Sequence, residues 1–130
     1  MYFLDSDYII NFLNGDRKIV ESVSSFLKSD LATSVICVAE ILEGLLDGKA
    51  QKEKTKNFVD FLNHLDIFDV DLFIADAYSK IRREMRRGGN LIDKFDLLIA
   101  CTCLVNNLVL VTGNVKHFER IKGLKIYKGK

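Results

Sequence analysis

Residues 108–111 read Leu-Val-Leu-Val, a run with no polar face. A strand that is apolar on both faces must be covered on both, which a parallel sheet between two layers of helices provides. The opening Tyr2-Phe3-Leu4 is a second such run, and residues 31–36, 65–70 and 125–127 complete the candidate strands. Between the strands, apolar residues recur at helical spacing. A short helix over 8–13 precedes one over 17–28, striped by Ile19, Val20, Val23, Phe26 and Leu27. Further helices are expected over 37–46, 49–64, 72–87 and 91–106. Asn14-Gly15, Asp47-Gly48 and Gly88-Gly89-Asn90 are their stop signals. Ser6 or Asp7, then Asp71, Asp93 and Asn114, are placed to cap helix starts. This alternation predicts an α/β fold: a three-layer α/β/α sandwich with a central parallel sheet of four to five strands. With 130 residues and no proline, repeat or linker-like stretch, residues 1–130 read as one domain.

Composition excludes little beyond disorder, since 48% apolar and 28% charged residues are ordinary for a globular domain. A net charge of +1 singles out no partner, but the charge is unevenly spread. Residues 80–87 carry five basic side chains against Glu84, and residues 116–130 carry six against Glu119. Cys37, Cys101 and Cys103 lie in apolar runs without metal-ligand spacing, so they read as small buried hydrophobes in a reducing compartment. Met1 leads directly into a strand with no basic leader, and the apolar run 97–105, broken by Thr102, is too short to cross a bilayer. A cytoplasmic chain with no membrane partner is expected.

Acidic residues stand where strands hand over to helices. In an open α/β sheet the carboxyl ends of the strands form the ligand crevice. Asp5 follows Tyr2-Phe3-Leu4 directly, and with Ser6 and Asp7 available as caps it is free for another role. Asp96 shares a helical face with Ile99, Ala100 and Cys103, so it enters a largely apolar environment that costs energy without a partner. Asp93, three residues earlier, suits the cap. Glu40 shares a polar stripe with Glu43, Gly44 and Asp47 opposite Val38, Ile41, Leu42 and Leu45; its place in the first turn after a strand points it to the same crevice. Two carboxylates about 4 Å apart repel by roughly 4 kcal/mol at an effective dielectric near 20. A hard divalent cation is the usual way to hold them together. Thr112 and Asn114, ending the run 108–111, could orient a metal-bound water. Arg82 and Arg86 share one helical face, Arg83 and Arg87 its neighbour, and this basic segment suits phosphate contact. His64 and His117 have no partner that sequence identifies.

Taken together, Leu4-Asp5-Ser6-Asp7-Tyr8-Ile9-Ile10, the stretch from Ser34 through Glu40 to Gly44, Asp93-Lys94-Phe95-Asp96-Leu97 and the ending from Val111-Thr112-Gly113-Asn114 to Ile121 resemble PIN domains, specifically VapC-type toxins of prokaryotic toxin–antitoxin pairs. The resemblance implies a magnesium- or manganese-dependent endoribonuclease. It carries the metal-binding acids over to Asp5, Glu40 and Asp96, with Ser6 and Thr112 as hydroxyl neighbours. The family often has a fourth acid where this chain has Asn114, which brings no charge; Asp93 is the residue near enough in sequence to compensate. The resemblance further implies an RNA substrate, a homodimer and a small antitoxin that covers the acidic crevice.

Two rival readings follow from the same residues. Asp5-Ser6-Asp7 also resembles the nucleophile and acid of a haloacid-dehalogenase-like phosphatase, which would need a lysine beside the aspartyl-phosphate. Asn114 favours a non-catalytic binding module on the same fold.

Overall fold

The structure, a computed structural model, describes residues 1–26 and 30–129. Its strands are β1 (Tyr2–Leu4), β2 (Leu31–Ser34), β3 (Asp66–Phe68) and β4 (Val109–Val111), and its helices are α1 (Ser6–Leu13), α2 (Arg17–Ser25), α3 (Val35–Leu46), α4 (Gln51–Leu62), α5 (Leu72–Arg87), α6 (Lys94–Asn106) and α7 (Val115–Phe118). The strands form one sheet in the order β3-β2-β1-β4, parallel at each pairing. This is the expected α/β sandwich, at the four-strand end of the expected range.

Successive residues of the strands feed two separate cores, as the two-residue repeat of a strand requires. Phe3, Ala32 and Leu110 face one core with Ile74, Leu97, Ile99 and Phe118. Leu4, Leu31 and Val111 face the other with Ile9, Ile41 and Phe58. Helix α6 is buried nearly all round, from Leu97 through Cys103, which is why its sequence shows no polar face. Its one buried hydroxyl is satisfied locally, Thr102 Oγ1 donating to Leu98 O at 2.8 Å. The three cysteines are free and buried, as expected.

Several boundaries move, each for a local reason. The second strand, expected over 31–36, ends at Ser34, whose Oγ accepts the Cys37 N–H at 3.4 Å and starts α3 two residues early. Helix α1 begins at Ser6 because Asp5 itself is the cap, its Oδ1 accepting the Ser6 N–H at 2.8 Å; neither Ser6 nor Asp7 takes that role. The expected helix over 17–28 is described as Arg17–Ser25, and Leu27 and Lys28 lie outside the described residues. The expected helix over 91–106 starts at Lys94, after the Asp93 cap. The last expected strand, 125–127, makes a single parallel bridge, Leu110 to Ile126, held by two 2.8 Å backbone bonds of Leu110 with Lys125 and Tyr127. Leu42, placed on the apolar face of α3, is 38% exposed. Asn114 stands at the head of α7, but its side chain caps nothing. Helix α5 has the expected bounds, with Asp71 Oδ1 accepting the Ile74 N–H at 2.9 Å.

Candidate metal centre at the carboxyl edge of the sheet

Strand register builds the site. Leu4 pairs with Val111, so the residues that follow each strand, Asp5 and Thr112, emerge side by side. The Asp5 N–H donates to Val111 O at 3.0 Å, and Thr112 Oγ1 donates to Asp5 Oδ2 at 2.8 Å. Asp5 is 6% exposed. Burial pushes its carboxyl above the usual range, against the bonds from Thr112 and Ser6, and the Asp96 charge adds to the rise.

The neighbouring strand brings α3. Asp5, Cys37 and Glu40 each present a ligand atom within 4.8 Å of the others. Glu40 Oε1 accepts from Ser6 Oγ at 3.3 Å. Its carboxyl is also raised, first by burial and then by the Asp5 charge. Cys37 is fully buried, its thiol pushed up to about 12 by burial and by Asp5. A thiol that weakly acidic is a poor nucleophile.

Asp96, in the first turn of α6, is raised by burial against the lowering charge of His117. His117 Nε2 lies 3.0 Å from Asp96 Oδ2, yet the angle leaves that buried nitrogen without a proper hydrogen bond. Asp93 is exposed and spent on capping, its Oδ2 accepting from the N–H groups of Phe95 and Asp96 at 3.0 and 3.4 Å. The Asn114 N–H donates to Thr112 Oγ1 at 3.1 Å, which fixes the turn rather than offering the Asn114 amide side chain a role.

Sequence reasoning missed two members of the site. His117 faces Asp96 across 21 positions, with no periodic signal to announce the contact. Asp7 was read only as a cap or as part of a phosphatase pair. Instead its Oδ2 accepts the Gly113 N–H at 3.1 Å, and its Oδ1 is buried without a partner. Its carboxyl is raised by burial and by the Asp5 charge.

The basic segment divides. Arg83, Arg86 and Arg87 are exposed, whereas Arg82 is half-buried with its Nη1 enclosed and unpaired. Arg82 therefore does not share a free surface with Arg86. Arg120 joins the exposed set: its Nη1 donates to Asn90 Oδ1 at 2.7 Å and its Nε to His117 O at 3.4 Å, tying the turn after α5 to α7. A groove of about 440 Å³ between α1, α3 and α4, lined by Ile10, Leu13, Ile41 and Leu45 among others, lies apart from these acids.

Asp5 and Glu40 thus meet at ligand distance, and Asp96 and Asp7 lie near enough to interact with the Asp5 charge, at the crevice where an open α/β sheet binds ligands. Oxygen donors with one buried oxygen unpaired suit a hard divalent cation. No lysine pairs with Asp5 among the described residues, so the lysine a phosphoaspartyl phosphatase needs has no counterpart here.

The chain belongs to the PIN domain family, whose model matches residues 2–124. It is 42% identical over 98 residues to Ribonuclease VapC1 of Methanocaldococcus jannaschii, covering 74% of this chain and 69% of that protein. It is 32% identical over 127 residues to Ribonuclease VapC1 of Haemophilus influenzae strain R2866, covering 96% and 95%. The crystal structure of VapBC2 from Rickettsia felis bound to a DNA fragment from their promoter superposes with a TM-score of 0.88 at 28% identity, covering 97% of this chain and 96% of that one. No helix among the described residues is long and apolar enough to cross a membrane.

Proposed function

We propose that this chain acts, as one PIN domain over residues 1–130, as a metal-dependent endoribonuclease and as the toxin of a two-component toxin–antitoxin module. The observation that carries this reading is the placement of Asp5, Glu40 and Asp96 at one sheet edge, each with its carboxyl raised and, among the described residues, no lysine or arginine paired to it. The ribonuclease names of the relatives support the reaction class, and the VapBC complex among its structural relatives supports a protein partner.

Asp5, Glu40 and Asp96 would hold magnesium or manganese. When bound, such an ion lowers the pKa of a water and stabilises charge developing on a phosphodiester. The rest is work for the chain's own groups. Thr112 and the Ser6 N–H fix both Asp5 oxygens in place. The Ser6 hydroxyl does the same for Glu40. His117 stands 3.0 Å from Asp96 Oδ2 on its α7 side. Thr112 also orders the turn at Asn114, beside which the attacking water would lie. The exposed Arg83, Arg86, Arg87 and Arg120 supply cations for the RNA backbone near the α5–α6 turn, and RNA affinity should fall with salt accordingly. Leu72 and Phe73, 86% and 75% exposed beside the edge strand β3, give a second copy of the chain an apolar surface.

The test is incubation of purified, partner-free chain with total RNA under magnesium, manganese or chelator, beside Asp96→Asn. Metal-dependent products absent from the variant are expected, and sedimentation of the same preparation gives the copy number. Folded protein that binds the ions but cuts no RNA would overturn the nuclease reading and leave a binding module.

A further inference from the structure

The family pattern leaves one charge short, because Asn114 stands where a fourth acid is common. Asp93 does not make up the difference, since its Oδ2 is engaged by two backbone N–H groups of α6 and the residue is exposed. Asp7 is differently placed. It sits in the first turn of α1, two residues after Asp5, and reaches the turn that carries Asn114.

Its two oxygens do different things. Oδ2 accepts the Gly113 N–H at 3.1 Å. The fit there is close: a Cβ on Gly113 would lie 2.7 Å from Oδ2, so the turn approaches the carboxylate with no side chain between them. Oδ1 is buried and has no hydrogen-bond partner among the described residues. A buried, unpaired carboxylate oxygen is costly, and native structures tolerate one mainly where an ion, a water or a functional role accounts for it. The latch on Gly113 uses one acceptor only, which a neutral asparagine could provide equally well. What the carboxylate adds is charge, on a side chain latched to Gly113, the residue next to the Thr112 whose hydroxyl holds Asp5.

We infer that Asp7 is the fourth carboxylate of this centre, latching the β4–α7 turn through Oδ2 and turning Oδ1 toward the divalent ion or its waters in place of the acid missing at Asn114. This rests on the metal-dependent reading above, but it assigns a residue that the family's motif does not.

The experiment is titration of manganese alone into the full chain by calorimetry, with ¹⁵N–¹H spectra of the same samples to watch the Gly113 amide. Asp7→Asn keeps an acceptor for Gly113 and removes the charge. It is expected to leave the Gly113 resonance in place and weaken manganese binding by more than about tenfold, because even at the dielectric of water a unit charge about 4 Å from a divalent ion is worth roughly 2 kcal/mol. Adding N114D to D7N should recover most of that loss. Manganese affinity in D7N within about twofold of the unaltered chain overturns the inference, because a unit charge at contact range cannot vanish unnoticed. A loss accompanied by a displaced Gly113 amide overturns it too, reducing Asp7 to a turn anchor, as does a loss that N114D leaves unrepaired. If the unaltered chain itself takes no manganese, the metal-dependent reading fails first and this one with it. A failure confined to D7N leaves that reading standing.

Discussion

Leu4 and Asp5 are neighbours in the chain and almost equally buried, at 0% and 6% exposed, yet they act on stability in opposite directions. Leu4 enters the core beside Ile9, Ile41, Phe58 and Val111, where burying its side chain contributes roughly 1.5–3 kcal/mol. Asp5 is held at the edge of that core among Glu40, Asp96 and Asp7, and burial raises its carboxyl in spite of the bonds from Thr112 and Ser6. One residue of strand therefore separates a region optimised for folding from one whose electrostatics oppose it. Strain of this kind at a sheet edge is expected where the site is completed by a ligand of opposite charge.

Breaking the comparison on the acidic side should give the largest effect. Asp5→Asn keeps the size of the side chain and an acceptor for Thr112 but removes the charge proposed to bind the metal. RNA cleavage should fall by more than about 100-fold, several kcal/mol of transition-state stabilisation. The metal-free melting temperature should rise or stay level. A variant that cuts at the original rate would remove Asp5 from the mechanism.

On the apolar side, Leu4→Ala should do the reverse. It is expected to cost about 2–5 kcal/mol of folding stability, read from denaturant midpoints, through lost transfer energy and the cavity left behind. Any fall in activity should track the unfolded fraction. If cleavage collapsed while the midpoint held, the division between the two regions would be wrong.

The smallest effect is on pH. Asp5, Asp7, Glu40 and Asp96 all have carboxyls raised in the folded chain, so over the window above the ordinary carboxylate range the folded state binds more protons than the unfolded one. By linkage, their contribution to stability is fully present below the unfolded carboxylate pKa and is lost as pH rises through the folded values. Metal-free melting temperatures should therefore decline from mildly acidic toward neutral pH, and added magnesium should flatten that slope at its upper end. A metal-free slope of the opposite sign would show that the acids are not a mutually repelling cluster.

Much of this was legible in one dimension. Helix α5 has its expected bounds because Asp71 and Gly88-Gly89 are strong local signals for a start and a stop. Asp93 caps α6 as its spacing suggested. Where expectation slipped, a side chain outbid a pattern: the Ser34 hydroxyl ended β2 against the pull of Val35 and Ile36, which are β-branched and suit a strand. The run 125–127 pairs through one parallel bridge alone, Leu110 with Ile126, at the edge beyond β4. Arg82 could not be separated from Arg86 by helical spacing, since the two sit one turn apart and only packing decided which was enclosed.

The sequence by itself determined the alternation of doubly apolar strands with helices, and hence a parallel sheet with its acids at the carboxyl edge. That follows from local covalent and solvation chemistry: a run with no polar face must be covered twice, and a chain leaving such a strand turns at its carboxyl end. Only the tertiary structure decided which acids meet. Asp5 touches Thr112 across 107 positions and Asp7 touches Gly113 across 106, because strand order places β4 beside β1. No local periodicity carries information over that distance. It is the pairing register of Leu4 with Val111, set by the packing of two cores on opposite faces of the sheet, that turns scattered carboxylates into a single centre.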